Sequence, residues 1–535
     1  MHNRNRHFDV VVLGRWIFFI FVILYLSVFG YHSLKQLRQF SFDSMNYVDV
    51  AKNISIGKGI QQSSLGFNQK HFSIGDDIPT PFISQPPLYP VVIAMVSFIG
   101  ISHSDGALLI SVISYALLLG VVFLMTKFLF NEYVAFLSVG LLLFYYPLRL
   151  VASYACSEPL GLVFVFGSFL VLIYACDRSN KSQKRGWTWL SGLLAGLAFS
   201  CRYALISTVL TGIVFIVITF KNRMKKNLLD YLLGFLVPFL AVVGRNFLVS
   251  GFMMLRPNPS ETGLRKNLAD AFWSLFGKYL HLFDHKVEAG LLFSLIFVIV
   301  LILLIRKKLV SEIQFVLFSG KRPILILWSC FYFSLLIVQR TRFHFDPITP
   351  RFMVFVGVPM IIILCALVLS AVRQKPLWVI LGAIFISAFA FGKELSATIR
   401  APNYDLRQII RDSERLNWVD ENTTEKDLII GDDTVDMVFY LNRPAVISFS
   451  PYPYTDYIDY NRITGYVQKH RDRYSRFFLV LRKRFRTQET IQKRYGSFVS
   501  DLVLKKIDSY PGFVWIQELD DGYVYEIQPL QESDK

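Results

Sequence analysis

The chain has 535 residues, of which 53% are hydrophobic, 16% are aromatic and only 18% are charged. Soluble domains carry roughly 25% charged residues, whereas apolar runs long enough for membrane helices recur here from residue 16 to residue 392. This pattern excludes a soluble enzyme and predicts a polytopic membrane protein. The formal net charge of +17 resembles that of a nucleic-acid-binding protein. Much of this basic excess lies in short loops between apolar runs, however, and the positive-inside rule accounts for it, so we predict no nucleic-acid partner.

The apolar runs predict eleven membrane spans. The first run, Trp16 to Tyr31, is too long for the core of a signal peptide and predicts a first membrane helix. The predicted spans lie near residues 14–34, 106–126, 132–148, 159–176, 187–201, 203–220, 229–249, 289–305, 323–339, 351–372 and 376–392. A further run at 88–100 is too short to cross a hydrocarbon core of about 30 Å and predicts a half-inserted or interfacial helix.

The basic loops predict the orientation. If the amino terminus is cytoplasmic and residues 88–100 do not cross, the Lys and Arg clusters between spans fall on the cytoplasmic side. The extracytoplasmic segments are then the loops 35–105, 250–288 and 340–351, together with the tail. We therefore predict a membrane module over residues 1–393 and an extracytoplasmic domain over residues 394–535.

The tail reads as a small α/β domain. Five short β-like runs alternate with helical patterns at Leu406–Trp418 and Thr487–Leu502. The runs are Asp427–Gly431, Ala445–Phe449, Phe477–Leu481, Phe513–Gln517 and Tyr523–Ile527. The predicted fold class is thus an α-helical polytopic membrane protein with interfacial helices and a small C-terminal α/β domain.

An amphipathic surface helix is predicted in the first outer loop, where Tyr47, Val50 and Ala51 share helical spacing. Asp43 lies just before its first turn. Such a residue can cap the helix by accepting backbone N–H bonds, or its carboxylate can serve chemistry, and the spacing alone leaves both interpretations open.

The order of motifs along the chain resembles the GT-C superfamily of membrane glycosyltransferases, particularly the branch of the protein mannosyltransferases and the lipid A aminoarabinose transferases. The resemblance covers roughly residues 10–395. It rests on the acid of the first loop, Tyr-x-x-x-Ala and Gly-x-Gly, followed by Gln85–Pro90, Ser157–Leu160, Leu197–Tyr203, Arg245–Phe247 with Gly251, and Pro347–Phe352. It implies the fold of that superfamily and a polyprenyl-phosphate sugar as donor.

The resemblance also implies roles for acidic residues. Asp43 matches the acid that activates the acceptor, and a carboxylate that takes the proton of a hydroxyl makes it a better nucleophile. Several relatives have paired acids where this chain has Asp43-Ser44, so Asp49 is a reserve candidate. Glu158 matches a second functional acid that binds acceptor or sugar, although Ser157-Glu158-Pro159 is also a typical helix start. Relatives often have His where this chain has Gln85, which leaves a role for Gln85 open.

Arginines accumulate at the outer ends of the spans. Arginine can extend from there to lipid headgroups, but a lipid phosphate that leaves as an anion needs positive charge, which the guanidinium fork supplies well. We predict substrate binding by Arg351 first. The other candidates are Arg202, Arg245 and Arg342, and Arg340 shares the loop with Arg342 and Arg351. His344 and Asp346 lie in that loop without a third ligand, so no metal site and no cofactor are predicted from these residues, and the sequence leaves open whether a divalent ion assists.

The leading hypothesis is an inner-membrane glycosyltransferase that moves a monosaccharide from a polyprenyl-phosphate donor to a hydroxyl of a glycan, lipid or protein on the extracytoplasmic face. Direct displacement at the anomeric carbon predicts inversion. The alternative is a transporter or flippase for a lipid-linked sugar. Transporters tend to carry charge at mid-membrane and to show repeated halves, whereas the polar residues of this chain gather at one face.

Overall fold

The computed structural model describes most of the chain. The described residues are 2–38, 40–65, 78–176, 184–220, 223–254, 260, 262–277, 314, 317–343, 347–371, 376–403, 405–431, 435–447, 460–483, 501 and 510–530. A helical bundle occupies the first part, up to Arg400, and a mixed α/β unit follows.

The bundle consists of long apolar helices joined by short segments. Its helices are α1 (His2–Tyr31, continued by a π-helical turn at His32–Leu37), α2 (Phe42–Ser55), α3 (Leu88–Ser97), α4 (His103–Leu129), α5 (Glu132–Phe144), α6 (Tyr146–Ser153), α7 (Glu158–Ala175), α8 (Lys184–Cys201), α9 (Ser207–Thr219, after a 3₁₀ turn at Tyr203–Ile206), α10 (Met224–Ser250), α11 (Leu264–Phe272, followed by a π-helical turn at Trp273–Gly277), α12 (Pro323–Arg342), α13 (Pro350–Ala371) and α14 (Pro376–Arg400).

Within the described residues, seven helices are long and apolar enough to cross a membrane: α1, α4, α7, α10, α12, α13 and α14. An eighth span results if α5 and α6, which meet at an angle of 60°, are counted as one broken span. Helices α8 and α9 occupy two more of the predicted spans but do not meet the same length and composition criteria. The predicted span at 289–305 lies outside the described residues. A multi-pass helical membrane fold is thus confirmed, and the total of eleven spans stays a prediction.

The run at 88–100 forms the short helix α3. Its 10 residues extend about 15 Å, half the thickness of a hydrocarbon core. Large apolar side chains at its C-terminal end are exposed, namely Met95, Phe98 and Ile99. A short helix with such an end suits insertion into one leaflet, as the sequence predicts.

Close contact between α8 and α10 depends on glycines. A methyl group on Gly192 of α8 would lie 1.9 Å from the carbonyl oxygen of Tyr231, and one on Gly234 of α10 would lie 2.1 Å from the carbonyl oxygen of Trp189. Small residues permit such backbone approach between membrane helices. This packing fixes the end of α8, where Arg202 follows.

The C-terminal unit is a six-stranded sheet with flanking helices. Its helices are α15 (Leu406–Asp412), α16 (Glu414–Asn422), α17 (Val435–Leu441) and α18 (Tyr460–His470), and its strands are β4 (Leu428–Gly431), β5 (Ala445–Ile447), β6 (Phe477–Arg482), β7 (Phe513–Glu518) and β8 (Gly522–Ile527). The five predicted strands are all present. The predicted helix at Leu406–Trp418 is divided at Ser413, which caps α16, and most of the predicted helix at Thr487–Leu502 lies outside the described residues.

The sheet includes a strand from the first loop of the membrane module. That loop contains β1 (Gln61–Gln62), which pairs with β3 (Thr80–Pro81), and β2 (Ser64–Leu65). Strand β2 pairs in parallel with β5, so the strand order is β2-β5-β4-β6-β8-β7. Four neighbouring strands run parallel to one another, namely β2, β5, β4 and β6. Strand β8 runs antiparallel to both of its neighbours, β6 and β7.

Side-chain contacts also join the first loop to the C-terminal α/β unit. The rings of Phe40 and Phe439 lie 4.7 Å apart, and the Arg473 guanidinium donates to the Ile78 carbonyl. The α/β unit therefore holds the loop that carries α2.

Candidate active site at the helix termini

Ser41, rather than Asp43, caps helix α2. The Ser44 N–H donates to the Ser41 hydroxyl at 3.2 Å, and the Ser41 N–H donates to the Ser44 hydroxyl at 3.1 Å, which completes a capping box. The Ser44 hydroxyl also donates to the Tyr154 carbonyl at 2.5 Å. The interpretation of Asp43 as the cap is therefore wrong. Serine and aspartate cap about equally well, and the backbone here places Ser41 in the capping position.

The Asp43 carboxylate instead joins two distant parts of the chain. One oxygen accepts from the Arg351 guanidinium, Nη2 to Oδ2, at 2.5 Å. The other accepts from the side-chain amide of Gln85, Nε2 to Oδ1, at 2.6 Å. Arg351 lies in the first turn of α13, and Gln85 precedes the two prolines before α3.

Glu158 connects Arg351 to a second arginine. Its Oε1 accepts from Arg202 Nη1 at 2.6 Å and also from Arg351 Nε. The Glu158 side chain is fully buried, and within the described part of the chain its Oε2 has no hydrogen-bond partner. The Arg202 guanidinium also lies over the Phe352 ring, 5.7 Å from its centroid. We call Asp43, Glu158, Arg202 and Arg351 the arginine–carboxylate cluster.

The cluster contains two carboxylates and two guanidiniums, so its charges balance. The guanidiniums determine the protonation state of Asp43. Burial raises the pKa of Asp43, but Arg351 and Arg202, together with the hydrogen bonds from Arg351 and Gln85, outweigh it and hold this pKa below its usual value. Asp43 is therefore an anion at neutral pH. A carboxylate that is stabilised in this way is also a weak base.

Three helix N-termini meet at the cluster. Asp43, Glu158 and Arg351 lie in the first turns of α2, α7 and α13, respectively. The N-terminal turn of a helix carries partial positive charge and exposes backbone N–H groups. Together with two guanidiniums, these helix ends create a setting that favours anions.

Three of the predicted site residues lie elsewhere. Arg245 donates to the carbonyls of Phe82 and Ile60, each at 2.5 Å, and so braces the first loop. Asp49 accepts the Ser63 N–H at 2.5 Å, immediately before β2, and burial raises its pKa although that bond opposes the shift. Arg342 is exposed at the end of α12. The geometry does not bring these residues to the cluster. The predicted substrate-binding roles of Arg245 and Arg342, and the predicted role of Asp49 as reserve base or substrate-binding residue, stay predictions.

The separation of Asp49 from Asp43 follows from helix geometry. Six residues place the two side chains about 9 Å apart along the axis of α2 and on different faces.

No group of three or more His, Cys, Asp or Glu side chains that could hold a metal ion occurs among the described residues. His344 and Asp346 lie outside them.

Gln85 is the cluster neighbour to which the sequence assigned no role. Its position immediately before Pro86-Pro87 was the available signal. Tyr47 and Ser157 also lie at the junction of α2 with α7, where their hydroxyls are 3.1 Å apart.

Part of the sequence matches a known protein family, and the structure resembles solved structures. Residues 84–244 match the family described as dolichyl-phosphate-mannose-protein mannosyltransferase. The structure resembles crystal structures of ArnT from Cupriavidus metallidurans in the apo state (TM-score 0.58, 12% identity, 96% of this chain and 98% of that chain covered) and bound to undecaprenyl phosphate (TM-score 0.57, 13% identity, 95% and 97% covered). The chain has the GT-C fold.

The GT-C fold also relates the chain to the archaeal oligosaccharyltransferase AglB from Archaeoglobus fulgidus in complex with an inhibitory peptide and a dolichol-phosphate (TM-score 0.50, 11% identity, 94% of this chain and 73% of that chain covered). No curated protein sequence matches the chain significantly. The predicted resemblance to the fold of the GT-C superfamily is thereby confirmed, and the family match over residues 84–244 agrees with its mannosyltransferase branch.

Proposed function

We propose that the protein transfers a monosaccharide from a polyprenyl-phosphate donor to a hydroxyl of a glycan, lipid or protein at the extracytoplasmic face of a bacterial inner membrane. The observation that carries this proposal is the arginine–carboxylate cluster, in which a carboxylate anion lies 2.5 Å from a guanidinium at the ends of three helices. ArnT binds undecaprenyl phosphate with the same fold, which supports a lipid phosphate as ligand.

In the proposed reaction, Asp43 takes the proton of the acceptor hydroxyl while that oxygen forms a bond to the anomeric carbon of the donor sugar. The bond between the anomeric carbon and the phosphate oxygen breaks, and its electron pair stays on the phosphate. Near neutral pH, the phosphate carries a charge of −1 in the diester and about −2 in the released monoester, so its negative charge grows during the reaction. In this proposal Arg351 and Arg202 stabilise this charge, and their ion pairs with Asp43 and Glu158 support a position beside the reacting groups. Attack opposite the leaving group inverts the anomeric centre.

Glu158 binds both arginines of the cluster, Arg202 and Arg351. It is buried and contacts the two guanidiniums through one oxygen, so it holds them side by side. No metal enters the proposed steps, since Asp43 and the two arginines supply the base and the positive charge.

The test uses the purified full chain in lipid nanodiscs, a panel of polyprenyl-phosphate sugars and an envelope extract as acceptor. Mass spectrometry should detect released polyprenyl phosphate and a product that has gained one sugar. The variant Asp43→Asn should form far less of this product. Its matched control is Asp105→Asn, since Asp105 also pairs with an arginine, Arg38, at 2.9 Å but lies outside the cluster. Absence of release with every donor, together with an unchanged envelope in a deletion strain, would contradict the proposal.

A further inference from the structure

The arginine–carboxylate cluster has no unbalanced positive charge with which to receive a phosphate. Arg351 uses Nη2 for Asp43 and Nε for Glu158, and Arg202 uses Nη1 for Glu158. Neutralising Asp43 by protonation is unfavourable, because its arginine partners lower its pKa. A phosphate that binds Arg351 through Nη2 must therefore replace the Asp43 carboxylate there.

The two carboxylates differ in how easily they can be displaced. The Glu158 side chain is 0% exposed and binds both arginines, whereas the Asp43 side chain is 22% exposed and the Arg351 side chain 17%. A ligand that approaches from outside meets the Asp43–Arg351 pair first. Because Glu158 binds Arg351 through Nε, Arg351 can exchange its partner at Nη2 without losing its place.

We propose that the donor phosphate replaces Asp43 as the partner of Arg351, so that binding of the donor itself releases the base. This inference rests on the proposed function. No covalent bond changes in this step: a hydrogen-bonded ion pair between Arg351 and Asp43 is replaced by one between Arg351 and the phosphate. The protein thereby couples the basicity of Asp43 to occupancy of the donor site.

The released Asp43 becomes a better base. Loss of its guanidinium partner, together with the nearby phosphate anion, favours the protonated form of the carboxyl group. Before the donor binds, the ion pair keeps Asp43 from activating a hydroxyl. We therefore expect the acceptor to be activated only after the donor phosphate is in place.

Affinity for the lipid phosphate gives a test that does not need catalysis. The probe is undecaprenyl phosphate, titrated into the purified full chain in nanodiscs and monitored by native mass spectrometry. If Asp43 competes with phosphate, Asp43→Asn should bind undecaprenyl phosphate roughly tenfold more tightly, the scale of one charged hydrogen bond. Affinity for undecaprenol, which lacks the phosphate, should not change.

Two controls separate competition from a general loss of negative charge. Asp105→Asn removes an arginine-paired acid outside the cluster and should leave affinity for undecaprenyl phosphate unchanged. In an Arg351→Ala background, Asp43→Asn should bring no tightening, because the contested partner is gone. If Asp43→Asn does not fold, as shown by its melting curve, Asp43→Ser removes the same carboxylate.

The outcomes distinguish the two proposals. Equal or weaker affinity of Asp43→Asn for undecaprenyl phosphate would overturn the exchange and leave the proposed transfer standing. Equal tightening by Asp105→Asn, or tightening without Arg351, would also overturn it. Failure of the wild-type chain to bind undecaprenyl phosphate or to use any donor would overturn the proposed function, and the exchange with it.

Discussion

Two buried glutamates in this protein each lie between two basic side chains, and they differ in how many of their carboxylate oxygens have a partner. Glu394 of α14 uses both oxygens: His32 Nδ1 lies 2.7 Å from Oε1, and Arg149 Nη2 donates to Oε2. Glu158 directs both arginines to Oε1, and no partner for its Oε2 occurs among the described residues. Buried carboxylate oxygens are normally satisfied.

The difference indicates different uses of similar residues. The Glu394 cluster joins the end of α1 to α6 and α14, with both carboxylate oxygens paired, as expected of a structural connection. In the arginine–carboxylate cluster, by contrast, Glu158 Oε2 has no partner among the residues that the structure describes, and Asp43 and Arg351 are partly exposed. Incomplete satisfaction is typical of sites that complete their hydrogen bonds with a ligand.

The largest expected effect comes from Asp43→Asn. Asparagine keeps the shape and can still accept from Arg351, but it cannot take a proton, so transfer should fall by roughly two to four orders of magnitude. Product formation by mass spectrometry and the melting curve are the two measurements. Near-normal transfer would remove Asp43 as the base.

Arg351→Ala should lower transfer by roughly two to three orders of magnitude, because a positive charge at the leaving phosphate is lost. Arg351→Lys should recover only part of the rate, since the charge returns without the planar fork that contacts two carboxylates. Single-turnover release of polyprenyl phosphate measures this step. Full activity of Arg351→Ala would separate Arg351 from the reaction.

Glu394→Gln should act on stability instead. It leaves Arg149 and His32 beside a neutral amide in a buried place, and the free energy of unfolding should fall by about 3 kcal/mol. Denaturation in detergent measures the loss, and transfer per folded molecule should stay close to that of the wild type. The matched substitution Glu158→Gln should lower transfer more than stability. The reverse ranking would contradict the distinction between the two clusters.

The pH dependence should reflect the state of Asp43. The cluster lowers its pKa in the folded protein, so the stability that the ion pair supplies is present above the unfolded value of about 3.9 and is lost as the pH falls through the lower folded value. The acid limb of kcat/KM, which reports the free enzyme, should follow that lowered pKa. The acid limb of kcat should lie at higher pH if bound donor releases Asp43 from Arg351. Coincident limbs would argue against the exchange.

The smallest effect is expected for Asp49→Asn. Asp49 accepts the Ser63 N–H away from the cluster, and asparagine can still accept it, so transfer should change by less than about tenfold, below the range of a general base. The rate relative to Asp43→Asn is the measurement. A loss as large as that of Asp43→Asn would return Asp49 as the candidate base.

The interfacial helix and the strands of the C-terminal domain could be predicted because their signals are local. A mainly apolar run of 10 residues after two prolines is too short to span a membrane, and a short, continuous apolar run marks β6 within a few residues. Strand β2 has two residues and no such pattern. Its pairing with β5, about 380 residues away, depends on how the first loop packs against the C-terminal domain.

The candidate site was predictable in its residue types but not in its pairings. Asp43, Glu158, Arg202 and Arg351 were all expected at helix ends on one face. Arg245 and Arg342 satisfied the same criterion but lie elsewhere. Asp43 was the residue considered as a cap, whereas the backbone geometry of one turn places Ser41 in the capping position.

By itself, the sequence determined that this is a multi-pass membrane protein with acids and arginines at the ends of its helices, because the cost of polar groups in hydrocarbon imposes a periodic pattern on the chain. Only the tertiary structure decided which of those charges meet. Asp43 and Arg351 are 308 residues apart, and Glu158 and Arg351 are 193 apart. Contacts at such separations leave no local periodicity, since they arise from helix packing and charge pairing in the folded bundle.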